Sequence, residues 1–180
     1  FLTRYGVTPN ASNLSIGSNN SKFEPVIGKP GDGASPSCAI VDEYHEHKTP
    51  DLYDTMKTGM GARSQPLLLV ITTAGADISG PCYLHQHELQ KILEGLIDNE
   101  RRFGIIFGID DGDDPFTEAA IEKSNPLLGI SINRDFLLAQ MHDAKQDPRK
   151  QNVFKTKHHN IWVGAASPWL NLANLQTCGD

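Results

Sequence analysis

The sequence predicts an α/β fold built on parallel strands, and three observations carry that reading. An apolar run at 38–41 ends in the acid pair Asp42-Glu43, and a second at 66–71 ends in Thr72-Thr73-Ala74-Gly75. Short apolar runs bounded by turn formers are the pattern of strands buried on both faces. Between the runs, Thr49-Pro50-Asp51 has the make-up of a helix start: Thr as cap, Pro at the first helical position and Asp at the favourable end of the dipole. Strand, helix, strand is a βαβ unit, whose strands run parallel through a right-handed crossover. Asp42-Glu43 and Thr72-Thr73 are therefore expected at one sheet edge, where ligands of open α/β sheets bind.

Size and charge fit that class. The chain has 180 residues, 38% hydrophobic and 21% charged, enough for one soluble globular domain with a core. A formal net charge of -6 argues against a main phosphate-contacting surface for nucleic acid, which needs a basic stripe. Nucleotide binding stays open, because one local cation site suffices. Cys38, Cys82 and Cys178 are odd in number and widely spaced, so reduced thiols are expected rather than a disulfide framework. No apolar run approaches the roughly 20 residues of a membrane span, and no secretory signal is visible. The chain opens on Phe1 rather than Met and is expected to be a piece of something longer.

The remaining elements follow in order. Residues 14–16 and 23–27 read as short strands, the second an edge because of Glu24-Pro25. A Gly- and Pro-rich loop, 28–37, leads into the first apolar run. The helix from Pro50 to about Lys57 is stopped by Gly59 and Gly61. Pro81 opens a helix to about Asn99, with Leu89, Ile92, Leu93, Leu96 and Ile97 as a core-facing stripe. Residues 103–109 are a third strand candidate. Asp114-Pro115 is expected to cap a helix ending by Asn125-Pro126. A further helix runs from about Arg134 to Lys145 with Phe136, Leu137, Met141 and Ala144 inward, and Asp147-Pro148 starts a segment holding Val153 and Phe154. From Gly164 the chain turns small and polar around Trp169, as a linker would.

The chemistry rests on the acid pair. The first acid of such a strand can hold a hydrated Mg²⁺ beside a nucleotide, and the second can orient or deprotonate the attacking water. An apolar run ending in Asp-Glu has this Walker B pattern, although a strand running into a solvated turn looks the same.

Three stretches in order narrow the choice: Asp42-Glu43-Tyr44-His45-Glu46-His47, then Gly59-Met60-Gly61-Ala62-Arg63-Ser64-Gln65-Pro66-Leu67, then Ile71-Thr72-Thr73-Ala74-Gly75. With Asn125-Pro126-Leu127-Leu128-Gly129 and Asn160-Ile161-Trp162 downstream, the series resembles the large terminase subunits of tailed bacteriophages, over roughly residues 23 to 180. The resemblance implies an additional-strand P-loop ATPase core with a parallel sheet and a helical lid. Residues 1–110 would be the C-terminal half of that core, 111–163 the lid and 164–180 a linker. It implies ATP and Mg as cofactors, Asp42 as the Mg-holding acid (through water), Glu43 as catalytic glutamate and Thr72-Thr73-Ala74-Gly75 as the coupling motif, with Thr72 and Thr73 its sensing residues. It further implies a DNA-packaging motor in the cytoplasm of a bacterial host, phage- or prophage-encoded. Its partners would be double-stranded DNA, a portal protein, a small terminase subunit and further copies in a ring. Gly-x-x-x-x-Gly-Lys-Ser/Thr does not occur in the chain, and neither does the family's nuclease domain, so these 180 residues alone are expected not to turn over ATP. Two rivals remain at this point: a helicase-like translocase, and a non-catalytic prophage-remnant scaffold.

Other residues also offer chemistry. Arg63, beside the second strand, is a candidate phosphate sensor or finger. His45, His47, Cys82, His85 and His87 invite a zinc reading, but they lack a matched second ligand pair, and His85 and His87 point about 200° apart on a helix. His45 is the one expected to buttress the acid pair. Asp110, Asp111, Asp113 and Asp114 fail the calcium-loop template at positions 3 and 12 and read as a solvated acidic loop. Lys155, Lys157 and His158-His159 form a basic cluster that could meet a DNA phosphate, or simply a charged helix face.

Overall fold

A computed structural model describes residues 2–28, 31 and 33–164. The chain forms two compact units, one from Phe1–Cys38 with Asp51–Leu67, the other from Ala39–Pro50 with the chain from Leu68 onward. The linker expected around Trp169 lies outside the described residues, apart from Gly164 itself.

The first unit begins with an antiparallel meander of β1 (Thr8–Pro9), β2 (Leu14–Ile16) and β3 (Ser21–Phe23). The third strand starts two residues earlier and ends four residues earlier than the sequence suggests. The turn after Ile16 sets the register by pairing Ile16 with Ser21, and the strand has ended before Pro25, which has no N–H to give a ladder. Helix α1 (Asp51–Gly59) follows and tightens into a 3-10 turn over Met60–Ala62. Tyr53, Met56 and Met60 are its buried side chains. Gly61 does not stop the chain but lies inside that turn. Gly59 is needed for room: a Cβ there would sit 2.2 Å from the Ala34 carbonyl oxygen.

Strands β4 (Cys38–Asp42) and β5 (Leu67–Ile71) pair in a separate sheet. At their starts the Leu67 amide donates to the Ser37 carbonyl at 3.0 Å; past their ends the His45 amide donates to Thr72 Oγ1 at 3.0 Å. Like ends meet, so the strands are parallel, as expected. Burial on both faces is not found. Only Ala39 and Val41 of β4 are buried, while Ile40, Leu67, Leu69 and Ile71 are 43–57% exposed. With two strands in this sheet among the described residues, one face is covered and the other is not. The third candidate, 103–109, is extended and alternates in exposure but pairs with no strand among the described residues, and Phe103 is 86% exposed. A strand needs a neighbour's ladder as well as a pattern.

The second unit adds four helices. Helix α2 (Pro81–Leu93) ends six residues short of the expected Asn99. Gly95, at φ 73°, turns the chain, and the amides of Gly95, Leu96 and Ile97 fold back onto the carbonyls of Ile92 and Lys91. Leu93, Leu96 and Ile97 are therefore exposed; Leu89 and Ile92 alone of the expected stripe are half-buried. Helix α3 (Glu118–Ser124) is capped by Thr117, whose hydroxyl accepts the Ala120 amide at 3.2 Å. The expected cap, Asp114, instead accepts the Phe116 amide at 2.9 Å in the preceding turn. Helices α4 (Arg134–Gln146) and α5 (Pro148–His159) start at the caps Asn133 and Asp147. Ile121, Leu137, Ala144 and Phe154 form the core that joins α3, α4 and α5. Phe136, expected inward, is 54% exposed, because α4 buries the 137/141/144 face and residue 136 points about 100° away from Leu137. None of the described helices is long and apolar enough to cross a membrane.

Candidate functional site

Strand β4 ends at Asp42, and the next residue breaks the backbone rules. Glu43 sits at φ 49°, ψ 45°, a left-handed conformation that costs a non-glycine residue about 1–2 kcal/mol. Its amide donates to Asp42 Oδ1 at 2.9 Å, and its carbonyl accepts the Glu46 amide at 2.9 Å. The chain thereby reverses into a 3-10 turn over Tyr44–Glu46. Tyr44, fully buried, anchors that turn, with the rings of His47 and His85 edge-on at 5.3 Å each. Both carboxylates are left exposed at the end of the strand.

His45 is the hub. Its side chain is 4% exposed, with Nδ1 3.2 Å from Glu43 Oε2 and 3.0 Å from Thr72 Oγ1. On the other side of the ring, Nε2 lies 3.1 Å from Glu46 Oε1 and 3.0 Å from Lys157 Nζ. The Thr72 hydroxyl donates to the Thr73 carbonyl at 3.0 Å, and Lys157 Nζ is also 3.5 Å from Thr73 Oγ1. Behind Thr72 lies the buried Cys82 thiol, whose pKa is pushed up by burial against the smaller opposing effect of the Thr72 hydroxyl.

The end of α5 holds the segment after β5. Asn160, left-handed at φ 54°, closes the helix and accepts the Ala74 amide on Oδ1 at 3.2 Å, and its Nδ2 donates to the Phe107 carbonyl at 2.7 Å. The Val163 amide donates to the Gly75 carbonyl at 3.2 Å. Gly75 has no room for a side chain without crowding, since a Cβ would lie 3.2 Å from the His45 ring. A cleft of ≈ 390 Å³ opens beside these residues, lined by His45, Lys48, Gly75, Asp77, Lys157 and Val163 among others.

Asp42, Glu43, Thr72 and Thr73 thus lie in one compact unit, where Glu43 and Thr72 meet at the His45 imidazole. Arg63 belongs to the other unit, where its guanidinium donates to the Ser35 carbonyl through Nε at 2.9 Å and through Nη2. The basic cluster near the C-terminal end of α5 does not form a common charged face. His159 is buried, Lys155 lies 5.7 Å over the Phe116 ring, and Lys157 reaches the site. Lys157 and Asn160 were not legible as site residues. Lys157 sits 84 residues from Thr73 and Asn160 86 residues from Ala74, and only the packing of α5 brings them there. In the acidic loop, Asp110 and Asp113 clasp Lys123 at 2.5 and 2.6 Å, and the Lys123 hydrogen bond is the main reason the Asp113 carboxyl is held below its usual value.

The donor set suits magnesium. Among the described residues no three His, Cys, Asp or Glu side chains cluster as a dedicated metal cage. Magnesium beside a nucleotide asks for one or two carboxylates, with phosphate oxygens and waters completing its shell. Exposed Asp42, a hard oxygen donor at the strand end, meets that need.

Residues 26–91 match the model of the terminase large subunit ATPase domain. The chain is 54% identical to Protein YmfN of Escherichia coli (strain K12) over 150 residues, which is 83% of this chain and 33% of that protein. It is 27% identical over 155 residues to the terminase large subunit of Enterobacteria phage HK97, covering 85% of this chain and 30% of that one. The crystal structure of the HK97 bacteriophage large terminase shares the fold, with a TM-score of 0.75 at 23% identity over 98% of this chain and 37% of that chain. The chain spans about a third of the length of the curated relatives it matches.

Proposed function

The likeness to large terminase subunits holds in sequence and in fold, and from that premise we propose that this chain is part of the ATPase domain of a viral DNA-packaging motor. In the parent protein, ATP hydrolysis drives double-stranded DNA, and a separate nuclease domain cuts it. The partners are a portal protein, a small terminase subunit and further copies in a ring, in the cytoplasm of a bacterial host. Residues 111–163 act as a helical lid.

One observation carries the reading: the Glu43 carboxylate and the Thr72 hydroxyl meet at a single imidazole nitrogen. A group that acts on water and a group on the neighbouring strand are thereby joined at the sheet edge where a nucleotide binds. When bound with ATP, magnesium neutralises charge on the phosphate oxygens. Asp42 would hold it through water. Glu43 orients the attacking water and takes its proton. Thr72 and Thr73 register the state of the nucleotide through the position of their segment and pass it along to Gly75. Arg63 serves as a phosphate sensor only once it lets go of the Ser35 carbonyl.

The test is Glu43→Gln in the full-length protein. Nucleotide binding is retained, because the Mg-holding acid is untouched, while hydrolysis falls by orders of magnitude, as when one member of a concerted catalytic set is removed. Hydrolysis near the wild-type rate would take Glu43 out of the role.

A further inference from the structure

His45 has two acceptors at one nitrogen, and that fixes what it can do. The Thr72 hydroxyl spends its only proton on the Thr73 carbonyl, so toward His45 its oxygen is an acceptor. Glu43 Oε2 is an acceptor as well. Both ask Nδ1 for a proton, and none of the contacts described at that nitrogen offers one. Nδ1 therefore carries the hydrogen. At Nε2 the demands oppose each other, since Lys157 Nζ can only donate and the Glu46 carboxylate can only accept. Either outcome there leaves the proton on Nδ1.

The same Thr72 oxygen also accepts the His45 backbone amide at 3.0 Å. His45 is thus tied to Thr72 twice, by main chain and by ring, while the ring alone reaches Glu43. The His45 side chain is 4% exposed, while the Glu43 side chain it holds is 60% exposed. Lys157 presses on the far nitrogen from α5 and also approaches Thr73.

We propose that His45 is the positioning residue of this site: its Nδ1–H, shared between Glu43 and Thr72, sets the aim of the Glu43 carboxylate according to where the strand β5 segment stands, and Lys157 holds the ring for that task. The inference rests on the hydrolytic reading of Glu43 given above. A displacement of Thr72 by a fraction of a bond length shifts the balance of the shared hydrogen between its two acceptors. Carboxylate aim and strand position are then one degree of freedom, not two.

Two substitutions at the same position separate positioning from packing. An Asn side chain places its amide where Nδ1 stands; a Gln side chain places its amide where Nε2 stands. In the full-length protein, His45→Gln lowers kcat on the order of 10²-fold with KM little changed, the scale of a small misplacement of a catalytic group, and His45→Asn, which restores a donor at the Nδ1 position but not the contact with Lys157, recovers part of that loss. A second readout needs no nucleotide. Hydrogen exchange in the nucleotide-free protein shows loss of protection across 43–46 and 72–75 in His45→Gln and not in His45→Asn. Equal losses in both variants, in turnover or in exchange, would reduce His45 to packing and overturn the proposal, as would wild-type turnover in His45→Gln. The Glu43→Gln variant run alongside keeps the two readings apart. If it stays active, the hydrolytic role has failed; if it is dead and His45→Gln is not, only the positioning role has failed.

Discussion

His159 Nδ1 stands 2.8 Å from Ser124 Oγ, with the imidazole wholly buried between α3 and α5. Its other nitrogen is 2.8 Å from the Pro115 carbonyl, which can only accept, so Nε2 carries the proton. Burial pushes the ring's pKa below the ordinary 6.5, and the same holds for His158, where the charge of His159 adds a smaller push. Nδ1 then faces the Ser124 hydroxyl as an acceptor, and that hydroxyl also lies 2.8 Å from the Ala120 carbonyl.

This pair makes stability depend on pH in a definite direction. Below 6.5 the unfolded chain takes up a proton that the folded ring refuses, so the contribution is intact above that value and is lost as pH falls toward the depressed folded pKa. Thermal unfolding from about pH 7.5 down to about pH 5 shows a falling Tm, and His159→Gln gives a shallower slope from a lower start. Equal slopes would remove His159 as the source.

Leu137, 1% exposed, fills the centre of the helical core with Ile121, Ala144 and Phe154. Leu137→Ala is expected to cost about 2–5 kcal/mol, in the range set by how far the cavity collapses. Chemical denaturation measures it, and Phe136→Ala on the neighbouring exposed position serves as the control with a much smaller loss.

Gly59 closes α1 with ordinary helical angles, so by propensity alone alanine is better by about 1 kcal/mol. The Ala34 carbonyl at 2.2 Å from the added carbon reverses the sign. Gly59→Ala is expected to destabilise by about 1–3 kcal/mol, because backbone must move to admit it. A gain in Tm would show that the loop at Ala34 gives way freely.

The cap of α3 gives a sharper contrast. Thr117→Ala removes the oxygen that accepts the Ala120 amide and is expected to cost about 1 kcal/mol, measured by urea unfolding. Asp114→Ala, which touches only the preceding turn, costs less.

Local chemistry made much of this fold legible. The apolar runs that end at Asp42 and at Thr72 are strands, and Pro50, Pro81 and Pro148 each open or immediately precede a helix. What depends on neighbours was not legible. Residues 103–109 alternate as a strand should, yet nothing in their own sequence says whether a partner strand lies alongside. Leu93, Leu96 and Ile97 keep helical spacing, but Gly95 ends the helix through a conformation that spacing does not reveal. At the site, adjacency gave Asp42, Glu43 and His45, whereas Lys157 arrives through tertiary packing and carries no local signal.

Glu43 stands where a backbone suited to glycine meets a side chain suited to chemistry. Judged by folding alone, the position favours glycine first, then asparagine or aspartate, and is hostile to branched residues such as valine. Judged by the role proposed for it, reach toward a water at the strand end, it favours only glutamate. On the proposed role, any survey of mutational tolerance would therefore split at this codon, with the replacements best for the fold the worst for turnover, and a protein freed from that task would drift there toward glycine.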